Sequence, residues 1–206
     1  MDISFIFSLA VLVVSIVIHE VSHGYMAYFL GDSTAKYAGR LTLNPIKHID
    51  LFGSIIVPFL TSLFPGGIIF GWAKPVPFNP YNLRSKKWGE ALVAIAGPAS
   101  NIFLALIFGL VIRYLSAVGS ISPATLEILV VIVLVNITLA IFNLVPVPPL
   151  DGSKIFYSLL PYKWTHIRTS IEKHSFLYVI IFLLVIWQFL EPLIPWLFRL
   201  ITGLSF

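Results

Sequence analysis

The sequence predicts an all-α polytopic membrane protein, a bundle of about four to six transmembrane helices. Of the 206 residues, 58% are hydrophobic and 11% are charged, whereas soluble domains average about 25% charged residues. Long apolar runs also alternate with polar stretches that contain glycine and proline, as expected for helices that cross hydrocarbon. The length suits one domain, residues 1–206.

Four firm apolar spans are expected, at about residues 3–30, 88–115, 124–145 and 175–190. The first ends at Gly31, a good helix stop, and about 28 helical residues would exceed a hydrocarbon core of about 30 Å. The third ends before Pro146, because proline cannot continue a helix. The last residues, 192–206, are apolar and should be kinked by Pro192.

The stretch between the first and second spans is expected to form a re-entrant or β-hairpin-like insertion. Residues 39–44 alternate at period two, as in a short strand. Residues 71–80 are too rich in proline for a helix and suit an extended edge segment. Residues 51–70 are apolar but broken by glycine and proline, which indicates a re-entrant or interfacial element.

Basic residues predict the orientation of the chain. All of the 13 except Arg113 and Arg199 lie within 33–87 or 152–174. Cytoplasmic loops carry the excess of Lys and Arg, so both stretches should face the cytoplasm and both termini should lie outside. Residues 51–70 must then enter and leave on one side. Because these charges flank spans and do not line a helix face, we expect no nucleic-acid partner.

The most informative motif is HEVSH, from His19 to His23, inside the first span. On a helix it places two imidazoles one turn apart on one face, as two ligands of one metal require, and Glu20 projects nearby as a general base. Ionisable groups in a membrane helix cost roughly 2.5–3.5 kcal/mol each and are functional by default. The alternative is a chance match on a helix whose polar face meets the bundle interior.

A catalytic zinc site usually has three protein ligands and one open position. The chain has no cysteine, so any metal must use histidine or carboxylate ligands. Asp151 follows the third span on the predicted side of the HEVSH motif, so the two can meet, and Gly152 would let the chain turn tightly. Asp151 could instead only cap a helix after the prolines. The remaining histidines lie in predicted loops: His48, His166 and His174.

Taken together, these motifs resemble the site-2 protease family, which are intramembrane zinc metalloproteases. Three motifs follow in the family's order over roughly residues 15 to 160: HEVSH, AGPASN (Ala96–Asn101) and NLVPVPPLDG (Asn143–Gly152). Three more resemble the family's minimal, single-domain branch of bacteria and archaea: RLTLNP (Arg40–Pro45), HID (His48–Asp50) and GWAKPVPFNP (Gly71–Pro80). The chain departs from that branch at Leu51, where proline is usual, which bears on the loop and not on the ligands.

The resemblance implies hydrolysis of peptide bonds within or near transmembrane helices of membrane-protein substrates. It implies one zinc ion per chain, held by His19, His23 and Asp151, with Glu20 as the catalytic base. It also implies that Asn143 lies near the site and holds the substrate or the oxyanion; an interhelical hydrogen bond to Asn101 is the alternative. The expected location is the cell membrane, multi-pass, with the active site toward the cytoplasm and the lipid bilayer and a substrate helix as partners. The oligomeric state has no signal in the sequence.

A substrate helix must unwind before it reacts, because its carbonyls are hydrogen-bonded within the helix. Two strand-like segments near the site could then pair with it by strand addition. One is residues 73–79, and the other comprises Arg40, Leu41, Thr42, Leu43 and Asn44. The alternative is that both segments only brace the loop.

Two other functions stay open. A membrane metal transporter would need ligands on several spans and both membrane faces, but the spans after the first carry few acidic groups besides Asp151. A catalytically silent homologue that binds membrane helices should have lost Glu20 or a ligand, and all are present.

Overall fold

Regular structure in the described part of the chain is helical throughout. The computed structural model describes residues 3–50, 52–56, 73–161 and 165–204. The α-helices are α1 Ile3–Phe29, α2 Thr34–Tyr37, α3 Gly89–Ala117, α4 Pro123–Leu144, α5 Asp151–Leu159, α6 Thr165–Lys173, α7 Ser175–Ile181, α8 Trp187–Leu190 and α9 Leu193–Thr202. Shorter turns are of the 3-10 type at Pro45–His48 and Pro80–Asn82, and of the π type at Phe52–Ile56 and Phe182–Ile186.

Three of the described helices, α1, α3 and α4, are long and apolar enough to cross a membrane. They have 27, 29 and 22 residues, and their limits nearly match those of the first three predicted spans. The ends of α4 show why. The Ser122 hydroxyl accepts a hydrogen bond from the Thr125 N–H, and Pro123 occupies the first helical position, where it needs no donor. Val145 is already extended, since Pro146 follows it.

The fourth predicted span is helical but short. The helices α7 and α8 and the π turn between them run from residue 175 to 190, about 24 Å at 1.5 Å per residue. The hydrocarbon core of a bilayer is about 30 Å thick, so this segment is too short for a full crossing. The described residues therefore support three spans where four to six were expected. The predicted kinked terminus forms α9, which ends at Gly203 in the left-handed conformation (φ 78°).

An apolar core lies between α3, α4 and α9. Phe198 of α9 is 2% exposed and packs against Ile112 and Val133, which are both fully buried. Where α9 crosses α3, a side chain on Gly109 would collide with Ile201. The C-terminal helix is therefore fastened to the ends of α3 and α4 near Arg113, whose guanidinium donates to the Leu200 carbonyl (3.3 Å).

The strand predicted over residues 39–44 is wrong, and no described residue forms a strand. Local side-chain bonds take its place. The Thr42 hydroxyl accepts from the Asn44 N–H (3.2 Å), and the Asn44 side chain accepts from the Ile46 N–H (3.1 Å). Such bonds compete with strand pairing, so the segment turns. Most of the predicted re-entrant element, residues 51–70, lies outside the described residues.

Residues 73–79 form neither helix nor strand, as their prolines predict, and they are tied to the preceding loop. The Lys74 N–H donates to the His48 carbonyl (2.9 Å), and the Arg40 guanidinium donates to the Lys74 carbonyl (2.6 Å). Arg40 is 7% exposed, so its guanidinium is buried against the backbone of residues 73–79. We call residues 73–79 the strap.

The far end of the strap is held by Asp32, which is fully buried just after α1. Its carboxylate accepts from the N–H of Asn79 (2.7 Å), the amide of Asn82 (2.9 Å) and the hydroxyl of Thr34 (2.6 Å). Burial alone would raise the pKa of Asp32, but the hydrogen bonds from Thr34, Asn82 and Asn79 outweigh it and hold that pKa below its usual value. The carboxylate thus joins the strap to the end of α1.

The chain leaves α1 and returns to α3 at the same end of the bundle. The Arg84 N–H, shortly before α3, donates to the Leu30 carbonyl just after α1 (2.9 Å). The two ends of the insertion between these helices therefore lie close together.

Candidate metal centre

The two histidines of the HEVSH motif point from α1 toward α3. Both are buried, at 6% and 8% exposure, and their rings meet edge to face with centroids 4.6 Å apart. Gly97 of α3 makes room for them, because a side chain there would collide with both His19 and His23. Both imidazoles therefore lie on one face of α1, as predicted, and this face packs against Gly97 of α3.

Asp151 reaches the same point as the first residue of α5. Leu150 takes the position that precedes the helix and makes no side-chain cap, so the capping alternative for Asp151 is wrong. Gly152 is helical and does not make the tight turn expected of it. Glycine is required at this position because any Cβ would collide with the carbonyls of Leu144 and Val145 at the end of α4.

Three candidate ligand atoms converge between these elements. His19 Nε2 lies 3.1 Å from Asp151 Oδ2, His23 Nε2 lies 3.0 Å from the same oxygen, and the two nitrogens are 3.0 Å apart. Ligand atoms held tetrahedrally around zinc, at about 2.0–2.1 Å from it, lie about 3.3 Å apart. Among the described residues, this buried His–His–Asp group could hold a metal ion.

The outer nitrogens of both rings make the group suitable for a cation. His19 Nδ1 donates to the Asn101 side-chain oxygen, and His23 Nδ1 donates to the Val93 carbonyl, both at 2.7 Å. A neutral imidazole that donates through Nδ1 keeps a lone pair on Nε2. Two such lone pairs and a carboxylate oxygen repel one another unless a cation lies among them, so the donor set fits zinc.

The second oxygen of Asp151 has its own partner. Lys154, one turn later on α5, approaches Oδ1 at 3.3 Å. Only Oδ2 faces the histidines, so the carboxylate is arranged as a single-oxygen ligand. Its place in the first turn of α5 also suits a negative charge, since backbone N–H groups are unpaired there.

Glu20 is half-buried on α1 between the two histidines. Its Oε2 accepts a hydrogen bond from the Val76 N–H at 2.8 Å. The strap therefore reaches the site and holds one oxygen of the predicted base. A side chain on Gly24 would meet both Leu41 and Val76, so the strap and the preceding loop cover α1 beside His23.

The other predicted site residues form local hydrogen bonds or differ in exposure. The Asn143 amide donates to the Leu139 carbonyl of its own helix (2.9 Å), and the bond suggested between Asn143 and Asn101 is not the one that forms. His48 donates to the Thr42 carbonyl (2.9 Å). Within residues 40–44, Arg40 is buried while Leu43 is 65% exposed.

Sequence reasoning missed Asn136, which bonds to Asn101 in place of Asn143. Both amides are fully buried, and Asn101 in turn meets His19. Asn101 is a single amide in apolar α3, whereas α4 has two amides, Asn136 and Asn143. The sequence does not say which amide on α4 faces α3.

Apolar helices long enough to cross a bilayer, closing on a buried His–His–Asp group, define a membrane-embedded metalloprotein. Comparison with known proteins names the class. The sequence model of Peptidase family M50 matches residues 7–125 and 118–187, and the chain belongs to that family of zinc metalloproteases. The resemblance to the site-2 protease family is thereby confirmed.

The similarity to individual relatives extends over most of the chain. The chain is 40% identical to YwhC of Bacillus subtilis over 187 residues, which are 88% of this chain and 79% of YwhC. It is 27% identical to Rip2 of Mycolicibacterium smegmatis over 203 residues, 96% of this chain and 72% of Rip2. A zinc metalloprotease of Methanocaldococcus jannaschii is 27% identical over 159 residues, 77% of this chain and 36% of that protein. No solved structure matched.

Proposed function

We propose that this chain is an intramembrane zinc metalloprotease that hydrolyses peptide bonds within or near transmembrane helices of membrane-protein substrates. The observation that carries the proposal is the convergence of His19, His23 and Asp151 at 3.0–3.1 Å between apolar helices. These three residues would hold one zinc ion. When bound, zinc supplies Lewis acidity that activates water and polarises a peptide carbonyl.

Glu20 is the proton carrier in this proposal. Val76 occupies its Oε2, and no described residue donates to Oε1, so Oε1 is the oxygen that accepts the proton from water. The same carboxyl group then delivers the proton to the leaving amine. The backbone N–H of Val76 keeps the carboxylate oriented through both transfers.

We propose that residues 40–44 pair with the backbone of an unwound substrate. The strap lies next to this segment, since Arg40 bonds to the Lys74 carbonyl. The N–H groups of Leu41, Thr42 and Leu43 have no partner among the described residues, so they can donate to an unwound substrate. The strap offers less, because its Lys74 and Val76 N–H groups are taken and Pro75 and Pro77 have none. At residues 74–77 the strap can therefore only accept hydrogen bonds from a substrate.

We propose that the site lies on the cytoplasmic side of a multi-pass protein of the cell membrane. The support is that the loops at that end of the bundle carry most of the basic residues. Asn143 lies on the last turn of α4 before the proline-rich turn that leads to Asp151, which supports its proposed part in holding substrate or oxyanion.

The test uses purified protein in detergent or lipid, a single-span test substrate, and a metal assay. Wild type should bind one zinc per chain and cut the substrate. Glu20→Gln should keep zinc and lose cleavage, while Asp151→Ala should lose zinc as well. Full zinc occupancy in Asp151→Ala would move the third ligand elsewhere, and appreciable turnover by Glu20→Gln would exclude Glu20 as the base.

The same preparation distinguishes the two other functions. Wild type that binds zinc but cuts no membrane helix would be a silent helix-binding homologue. Zinc flux into liposomes without cleavage would indicate a transporter.

A further inference from the structure

A line of buried polar side chains runs from the metal centre into the middle of α4. The His19 ring bonds to Asn101 of α3 (2.7 Å), and Asn101 bonds to Asn136 of α4 (2.9 Å). Asn136 then bonds to the Ser15 hydroxyl (3.0 Å) and to the Ile132 carbonyl (2.9 Å). The surroundings are apolar helix faces, so each of these groups depends on the others for its partners.

The direction of this line is set mainly at its far end, and a longer hydrogen bond from the Asn101 nitrogen to the Ser15 carbonyl (3.4 Å) favours the same direction. The Ile132 carbonyl can only accept, so the amide nitrogen of Asn136 must face it and the amide oxygen must face away. That oxygen can only accept from Asn101, which turns the nitrogen of Asn101 toward α4. The oxygen of Asn101 is left for His19, and only a ring with its proton on Nδ1 can donate to it.

The opposite orientation of the Asn101 amide would prevent His19 from binding a metal. If the Asn101 amide were reversed, its oxygen would meet the oxygen of Asn136 and its nitrogen would meet His19 Nδ1. The ring would then carry its proton on Nε2, the atom that faces His23 and Asp151. A protonated Nε2 has no lone pair to offer a metal.

We propose that Asn136 is a positioning residue that sets the tautomer of His19 through Asn101. Its hydrogen bonds within the described residues go to Asn101, Ser15 and Ile132, and none goes to a candidate ligand or to Glu20. Its effect on the metal rests on the proposed zinc-binding function, whereas its effect on the imidazole does not require zinc. Residues that orient metal ligands from outside typically account for about 10–100-fold in metal affinity.

The experiment compares Asn136→Leu with Val133→Ala, a matched control one turn earlier on α4. Val133 is fully buried in the apolar core, so its truncation lowers stability without touching the polar line. The readouts are the nitrogen NMR shifts of the His19 ring in zinc-free protein with labelled histidine, assigned with His19→Gln, and the zinc dissociation constant.

Wild type should show the proton on Nδ1. Asn136→Leu should show both tautomers and bind zinc at least about tenfold more weakly, and Val133→Ala should match wild type in both readouts. A proton on Nε2 in wild type overturns the proposal even where Asn136→Leu does not fold. An unchanged tautomer in Asn136→Leu, or an equal loss of zinc affinity in Val133→Ala, also overturns it. Wild type with the Nδ1 proton and no zinc binding would refute the proposed function and leave the tautomer assignment standing.

Discussion

At the scale of single residues, His19 and His23 are each fixed by the nitrogen that faces away from the cluster. Their outer nitrogens reach an amide and a backbone carbonyl at 2.7 Å, which leaves the inner nitrogens as acceptors. This arrangement depends on how closely α3 approaches α1, and therefore on the missing side chain of Gly97.

Gly97→Ala should abolish zinc binding, because its methyl group would occupy the space of both imidazoles. Gly109→Ala is the matched control. It adds the same methyl to the same helix, but against Ile201 of α9. We expect the control to lower the melting temperature and keep its zinc, as measured by metal analysis of the folded fraction. Equal zinc loss in both variants would mean that general loosening of α3 is the cause.

Asn143→Ala should keep zinc and nearly its melting temperature while losing most of its activity. Within the described part of the chain, the only hydrogen bond of its amide goes to the Leu139 carbonyl of its own helix, so we expect little stability to depend on it. A lost contact to the oxyanion costs on the order of a hundredfold in turnover. A variant that melts much earlier yet cleaves normally per folded molecule would assign Asn143 a structural role.

At the scale of elements, the strap is positioned by a carboxylate that lies outside the membrane spans. The pKa of Asp32 is held below its usual value because Thr34, Asn82 and Asn79 donate to the ionised form, despite its burial. The stabilisation is therefore present above the unfolded pKa of about 3.9 and is lost as the pH falls through the lower folded value.

Wild type should accordingly lose thermal stability on acidification more steeply than Asp32→Asn, which has no charge to protonate. The comparison is of melting temperatures from pH 6 to pH 3 in one detergent, where all other carboxyl groups are shared. Parallel curves for the two proteins would show that Asp32 contributes nothing to acid sensitivity.

The sequence predicts the elements that periodicity controls and misses those that side-chain bonds control. The limits of α1, α3 and α4 follow from hydropathy, glycine and proline. The strand at residues 39–44 fails because Thr42 and Asn44 cap their own backbone. The histidine spacing and the aspartate after the prolines predict the metal cluster. Asn136 could not be paired with Asn101, since the rotation of α4 about its axis depends on packing.

At the scale of the whole molecule, the two ends of the insertion meet beside Leu30 and Arg84, and the C-terminal helix packs at the opposite end near Arg113. The metal centre and the last helix should therefore face opposite sides of the membrane.

Cysteines introduced at Lys47 and Ser120, both exposed, test this in a chain that has no cysteine of its own. An impermeant maleimide should label Ser120→Cys from outside intact cells and Lys47→Cys only after the membrane is opened. Labelling of both from the same side would mean that residues 51–70 cross the membrane.

Asp151 follows His19 by 132 residues, and this separation has a consequence for biosynthesis. While the ribosome is still making the chain, the helix that carries HEVSH enters the membrane long before the third ligand exists. The insertion machinery and the neighbouring nascent proteins are themselves membrane helices, which a prematurely active protease would attack. On the proposed function, α5 must be made and docked before the ligand set is complete, so a stalled or truncated copy without α5 would lack the third ligand and would not cut neighbouring helices.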